Sequence, residues 1–205
     1  MNTTTNFRTG RMVQLAFFIA IIILMTFTPI GYIKTFGLEI TLIVVPVTVG
    51  AIVLGPVSGA ILGGVFGITS FIQCFGMSPF GAALLDISPV GTFILCMVPR
   101  ILMGWLTGLI FRAVRKVNNN LSYAVASLAG PLLNTVLFMT SLILIFYQTD
   151  FIQGIVEQTG ASNVFAFIIA FVGINGLVEA GACFILGTAV AKAVDIVARR
   201  LGVEL

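Results

Sequence analysis

The sequence predicts an all-α membrane protein: a bundle of six transmembrane helices forming one domain over residues 1–205. Of its 205 residues, 59% are hydrophobic and only 8% are charged, whereas an average soluble domain carries about 25% charged residues. Six apolar runs also approach the length of about 20 residues that a bilayer-spanning helix needs. Lipid is therefore the expected solvent for much of the surface.

The six apolar runs cover approximately residues 12–33, 38–54, 57–75, 91–114, 121–147 and 164–194. The first run follows two arginines, as a signal peptide would, but no small-residue cleavage pattern comes after it, so it is predicted to be a retained helix. Only "GPVSG" separates the second run from the third, which leaves five or seven elements as alternatives. The last run is longer than one span requires, which suggests tilt or a cytoplasmic extension.

Basic residues gather at three helix ends. They are Arg8 and Arg11 before the first helix, Arg112, Arg115 and Lys116 after the fourth, and Lys192, Arg199 and Arg200 at the end of the sixth. With six helices all three groups fall on one side, and the positive-inside rule makes this side, with both termini, cytoplasmic. The segment 76–91 then lies outside, and its apolar middle between glycines and prolines suits a loop over a cavity or a re-entrant turn.

Small residues recur every fourth position on three of the predicted helices. They are Ala16 and Ala20 on the first, Gly55, Gly59, Gly63 and Gly67 on the third, and Gly104 and Gly108 on the fourth. Such strips let another backbone approach closely. For the glycine series we expect ordinary packing within the bundle. For the alanine pair, packing and docking onto another protein both remain open.

Several chemistries are excluded by what the sequence lacks. It has no histidine, and its three cysteines show no ligand spacing, which argues against a metal site, haem or an iron–sulfur cluster. The cysteines are therefore interpreted as small core or lipid-facing residues. No phosphate-binding G-x-x-x-x-G-K-[ST] motif is present. We expect no enzymatic activity and no cofactor.

A few polar residues remain within the apolar runs: Gln73, Arg100, Asn134, Asn175 and Glu179. A charged group at membrane depth marks a functional site or a buried pair. Two interpretations of Arg100 stay open. Its guanidinium either binds an anionic ligand entering from outside, for which its fork of donors is suited, or forms a structural ion pair with Glu179.

The whole chain resembles the substrate-binding S components of energy-coupling-factor (ECF) transporters. The resemblance rests on the six-helix pattern, on "AFFIA" in the first helix, and above all on the block from Gly31 to Ser70, which contains "ITLIVVPVTVGAIVLGPVSGAILGGVFGITS". It implies high-affinity binding of one vitamin in a pocket near the outer face of the bacterial plasma membrane. It also implies a transmembrane coupling subunit and two cytoplasmic ATPases as partners, with no nucleic acid, and docking through the positions of Ala16 and Ala20.

The substrate is expected to be pantothenate or hydroxymethylpyrimidine rather than riboflavin, because "EITLIVVP" stands where the riboflavin branch has an acidic stretch. One arginine, several asparagines and apolar walls suit the carboxylate and dimethyl group of pantothenate. The predicted substrate-binding residues are Arg100, Asn134, Asn175, Glu179, Gln73 and Lys34. The alternatives are a self-sufficient small secondary transporter and a membrane assembly factor.

Overall fold

The computed structural model describes the backbone of residues 3–28, 31–34 and 39–200. Within these ranges, it leaves undescribed the side chains of residues 3–8, 32–34, 39–40, 174, 175, 195 and 197–200. The elements in chain order are α1 (Thr3–Thr26), β1 (Tyr32–Lys34), β2 (Glu39–Thr41), α2 (Val44–Leu54), α3 (Pro56–Gln73), α4 (Pro79–Ile87), α5 (Pro89–Arg115), α6 (Asn119–Phe146), α7 (Asp150–Thr159) and α8 (Val164–Arg200).

The predicted all-α membrane bundle is confirmed. Five helical stretches (α1, α3, α5, α6 and Gly176–Val194 of α8) are long and apolar enough to cross a membrane, and a bent pair formed by α7 and the first part of α8 can supply a sixth span. The apolar helix α2 has only 11 residues, which at about 1.5 Å per residue is too short to span a bilayer alone. The described strands are limited to the small hairpin of β1 and β2.

The predicted limits of the first two helices are wrong. The first helix ends at Thr26 rather than near residue 33, and the second begins at Val44 rather than near residue 38. Between them β1 and β2 pair antiparallel, with Tyr32 opposite Thr41. The sequence "TPIG" explains the early end, because a residue before proline is pushed out of the helical region and glycine weakens a helix.

Two further segments differ from their predicted form. The segment 76–91 contains the helix α4, whose N-terminus is capped by Ser78 Oγ accepting from the N–H of Gly81. The last apolar run is broken at Gly173 (φ 37°, ψ −134°), a conformation that side chains other than hydrogen rarely permit. The run therefore contains two helical pieces rather than one continuous helix.

The glycine series on α3 packs against the backbone of α5. At three of these glycines a Cβ atom would collide with a carbonyl group of α5, so the two helices touch along their main chains. The facing pairs are Gly59 with Gly104, Gly63 with Arg100 and Gly67 with Cys96. The expectation of internal packing is therefore confirmed for this part of the series.

The buried apolar side chains form two clusters. The larger, here the bundle cluster, joins α1, α2, α3, α5, α6 and α8 and includes Phe66, Met103 and Cys183. The smaller, here the cap cluster, joins α4, α5, α6, α7 and α8 and includes Leu95 and Phe167. The short helices α4 and α7 therefore pack onto the bundle instead of extending away from it.

We expect Gly63→Ala to destabilise the fold and Gly64→Ala to be tolerated. A Cβ at residue 63 would meet the carbonyl of Arg100, whereas at residue 64 the nearest atom is Cγ1 of Ile101 at 3.8 Å. Both substitutions gain about 1 kcal/mol of helix propensity, but only the first must separate two backbones, at a cost of about 1–3 kcal/mol or more. Thermal unfolding in detergent measures the difference. Equal melting temperatures for the two variants would contradict the close packing of α3 on α5.

Candidate functional site

A cavity of about 480 Å³ opens among β2, α3, α4, α5, α6 and α8. Its volume falls in the range of about 300–1,000 Å³ that is typical of small-molecule sites. The wall takes Phe66 from the bundle cluster and Leu84, Leu95 and Met139 from the cap cluster. The cavity is therefore a gap between the two apolar clusters. Its lining is largely apolar and contains a few polar residues.

Arg100 lies in the wall of this cavity and keeps donors without protein partners. Its Nη1 donates to the carbonyl oxygen of Leu95 at 2.6 Å, whereas its Nε is buried without a hydrogen-bond partner. The guanidinium carbon stands 4.8 Å from the ring centroid of Phe138 and 5.5 Å from that of Phe66. Two aromatic faces thus stabilise the cation, while part of the donor fork stays available to an anion.

The proline before Arg100 explains why the Leu95 carbonyl is available. In a regular helix this carbonyl would accept from the N–H of residue 99, but Pro99 has none. The guanidinium of Arg100 occupies the vacated acceptor, which holds the side chain along its own helix. The dipeptide Pro99–Arg100 is therefore a local unit that positions a cation.

Asn134 and Glu179 form a second polar group in the same wall. Glu179, on α8, accepts from the side-chain nitrogen of Asn134 at 3.5 Å and from the backbone N–H of Thr41 at 3.4 Å. Because the carboxyl oxygens accept, the amide of Asn134 turns Nδ2 toward Glu179. Its Oδ1 is left buried without a partner. Two residues of the cavity wall, Asn134 on α6 and Arg100 on α5, therefore each have a buried polar atom without a hydrogen-bond partner.

The predicted alternative for Arg100, an ion pair with Glu179, is absent. Within the described part of the chain, no nitrogen of Arg100 lies within salt-bridge distance of a carboxylate. Both side chains nevertheless line the same cavity. A half-buried cation without a counter-ion costs free energy that a bound anion would recover.

The other predicted substrate-binding residues have different positions. Gln73 lines the cavity and donates from Nε2 to the carbonyl of Thr26 at 2.9 Å, which joins the end of α3 to the end of α1. Asn175 belongs to α8 and Lys34 to β1 by their backbones, but their side chains lie outside the described residues.

Sequence reasoning missed several members of the cavity wall. Phe138 could not be told from other apolar helix residues, and Thr41 contributes through a backbone N–H that carries no sequence signal. Cys74 and Cys96 are buried as predicted for small core residues, but both also line the cavity. The sequence did contain one signal for how Arg100 is held, namely Pro99. A proline next to an intramembrane arginine leaves a helix carbonyl without its N–H donor, and the arginine can supply one.

The alanine strip of the first helix is exposed. Ala16 and Ala20 lie on the outer surface of α1, beside the exposed Val13, Phe17 and Leu24, and none of them lines the cavity. The strip is thus separate from the site and is available to lipid or to another protein.

These features define a class: a multi-pass membrane protein with a small-molecule cavity among its helices. The sequence model of the family "ECF transporter, substrate-specific component" matches residues 10–191. The chain therefore belongs to the substrate-specific components of ECF transporters and resides in the cell membrane. Membership implies a vitamin-like small molecule and partner subunits of the ECF module, and it describes a transporter component rather than an enzyme.

Two relatives from other bacteria are similar to this chain. The pantothenic acid transporter PanT of Lactococcus lactis is 37% identical over 147 residues, which cover 66% of this chain and 73% of the relative. The pantothenate transporter PanT of Leuconostoc mesenteroides is 29% identical over 212 residues, which cover 98% of this chain and 99% of the relative.

Proposed function

We propose that this protein captures pantothenate from outside the cell as the membrane-embedded binding subunit of an ECF importer. The observation that carries the proposal is that Arg100 and Asn134, each with a buried polar atom that lacks a hydrogen-bond partner, line one cavity with largely apolar walls. The names of both relatives favour the same vitamin. The uptake itself is driven by ATP hydrolysed on partner subunits.

Pantothenate supplies the groups that the cavity lacks. Its carboxylate would accept from the free donors of Arg100, and a charge-assisted hydrogen bond of this kind is roughly twice as strong as a neutral one. A hydroxyl or the amide N–H of the vitamin would donate to Asn134 Oδ1. Phe66, Phe138 and Met139 offer apolar surface for the dimethyl group. The cavity can thus accommodate the carboxylate, a hydrogen-bond donor and the apolar dimethyl group of the vitamin together.

The packing also favours a cavity that faces outward. Arg11 donates to the carbonyl of Leu54 and the Arg112 guanidinium lies against Gly55, so these cations share the end of the bundle where α2 meets α3. Gln73, in the cavity wall, lies at the opposite end of α3. The positive-inside rule makes the arginine end cytoplasmic, and the cavity then opens toward the outer surface.

The partners are a transmembrane coupling subunit and two cytoplasmic ATPases, and the exposed strip at Ala16 and Ala20 is the proposed docking surface for the coupling subunit. Small side chains permit close approach of two helices in lipid, where packing drives association.

A secondary transporter that acts alone would need no such surface. Reconstitution in vesicles separates the two possibilities, because pantothenate uptake without the partner subunits would contradict this proposal.

We expect Arg100→Gln to weaken pantothenate binding by about 100-fold, because removing one partner of a buried charge-assisted contact costs about 2–5 kcal/mol. Isothermal titration calorimetry in detergent measures the change. Pantothenol, which carries an alcohol in place of the carboxylate, should bind the variant and the native protein with similar, weak affinity. The control Arg112→Gln alters an exposed arginine of the same helix and should leave both affinities unchanged. An equal loss for the acid and the alcohol would show that Arg100 supports the fold rather than the carboxylate.

Pro99→Ala is expected to raise stability while it lowers affinity. The new N–H at residue 99 would take the Leu95 carbonyl and release the Arg100 guanidinium. Removing an interior proline is worth about 3 kcal/mol to a helix, so the melting temperature should rise as pantothenate binding weakens. Thermal unfolding and calorimetry on the same variant test whether the melting temperature rises while the affinity falls. The role assigned to Pro99 would be wrong if affinity stayed at its native value.

Replacing Ala16 or Ala20 with phenylalanine should abolish uptake of pantothenate by the assembled transporter. The affinity of the isolated protein for pantothenate should stay at its native value. A bulky side chain separates the two helix surfaces without reaching the cavity. Ala170→Phe, which alters an exposed alanine on α8, serves as the control and should support normal uptake. A fall in affinity at Ala16 or Ala20 would instead indicate that the strip packs internally.

A further inference from the structure

Two thiols meet in the wall of the cavity. The Sγ atoms of Cys74 and Cys96 lie 4.0 Å apart, and both residues line the cavity. Both cysteines are free and are shielded from bulk solvent. A small molecule that enters the cavity therefore reaches two sulfur atoms at once. The third cysteine, Cys183, is buried in the bundle cluster and does not line the cavity.

The two cysteines differ in how firmly their backbones are held. Cys96 lies in the part of α5 whose carbonyl contacts Gly67 of α3, so its turn is fixed by the packing of two backbones. Cys74 is the capping residue that directly follows α3. Gly81 of α4 rests directly on it, because a Cβ there would lie 2.6 Å from the Cys74 sulfur. The backbone at Cys74 is therefore expected to move when the two sulfur atoms approach each other. Because Gly81 contacts Cys74, α4 is expected to move with it.

We propose that Cys74 and Cys96 form an oxidisable dithiol in the ligand cavity, converted to a disulfide by hydrogen peroxide. One thiolate attacks a peroxide oxygen, the O–O bond breaks, and the departing hydroxide takes up the released proton as water. The resulting sulfenic acid is attacked by the second thiol, an S–S bond forms as the S–O bond breaks, and a second water leaves. In sum, two thiols and one peroxide give one disulfide and two waters.

The disulfide changes the cavity through α4. An S–S bond is about 2.05 Å long, so the sulfur atoms must approach each other by about 2 Å. Because the Cys96 turn is held by Gly67, we expect the end of α3 to supply this movement and to carry α4, whose Phe80 and Leu84 form part of the wall. Oxidation is therefore expected to lower the affinity for the ligand. This consequence rests on the proposed function, whereas formation of the disulfide does not.

The chemical step is tested on the purified, reduced protein without ligand. After treatment with a small excess of hydrogen peroxide, we expect an intact-mass loss of about 2 Da, a peptide pair linking Cys74 to Cys96, and a Cys183 thiol that still alkylates after unfolding. Cys183→Ala should form the same disulfide. Cys74→Ala and Cys96→Ala should not lose this mass. A native protein that forms no Cys74–Cys96 link, or that oxidises Cys183 equally fast, would overturn the proposal.

The functional step is tested by pantothenate titration of the reduced, oxidised and re-reduced protein. We expect oxidation to raise the Kd by about tenfold or more, an easily resolved change, and reduction with a phosphine to restore it. Cys183→Ala should show the same cycle. A disulfide that leaves the Kd unchanged would overturn the regulatory consequence. A reduced protein that forms the disulfide but binds no pantothenate would contradict the proposed function and leave the dithiol site standing.

Discussion

The contact between the backbones of α3 and α5 is the constraint on which the site depends. Glycines on α3 face the carbonyl groups of Cys96, Arg100 and Gly104, so no side chain separates the two helices. Direct contact of this kind fixes the turn of α5 that carries Arg100. It also determines which face of α5 is left to line the cavity, and the hydrogen bond from Arg100 Nη1 to the Leu95 carbonyl holds the guanidinium in its wall.

The polar groups of the cavity are held in place by intrahelical and neighbouring contacts, yet they are incompletely satisfied. Arg100 is anchored on the Leu95 carbonyl that Pro99 leaves free, and Asn134 is oriented by Glu179. Each keeps one buried atom without a hydrogen-bond partner, which costs free energy in the empty protein. A ligand that satisfies both atoms recovers that cost, so the arrangement favours binding over stability. The break at Gly173 lies between Val172 and Gly176, which line the cavity, and irregular backbone at membrane depth is tolerated where it borders a cavity.

The sequence allowed the class of fold to be predicted because span length and charge placement are properties of composition. The ends of the helices were harder to predict. A hairpin replaces the end of the first run and the start of the second, and it depends on pairing between Tyr32 and Thr41. Arg100, Asn134 and Glu179 could be selected because polar groups are rare in such runs, but their meeting in one cavity depends on three helices. The Cys74 and Cys96 pair could not be foreseen, because their separation of 22 residues matches no local motif and only the crossing of α3 and α5 brings the sulfurs together.

The proposed function requires that the cavity hold an acid whose carboxylate lies on Arg100. An experimental structure of the purified protein, determined after addition of pantothenate, tests this most directly. We expect density for the vitamin among α3, α5, α6 and α8, with a carboxylate oxygen within hydrogen-bond distance of Arg100. A structure in which Arg100 pairs with Glu179 while the vitamin lies elsewhere, or in which its carboxylate points away from the guanidinium, would contradict it.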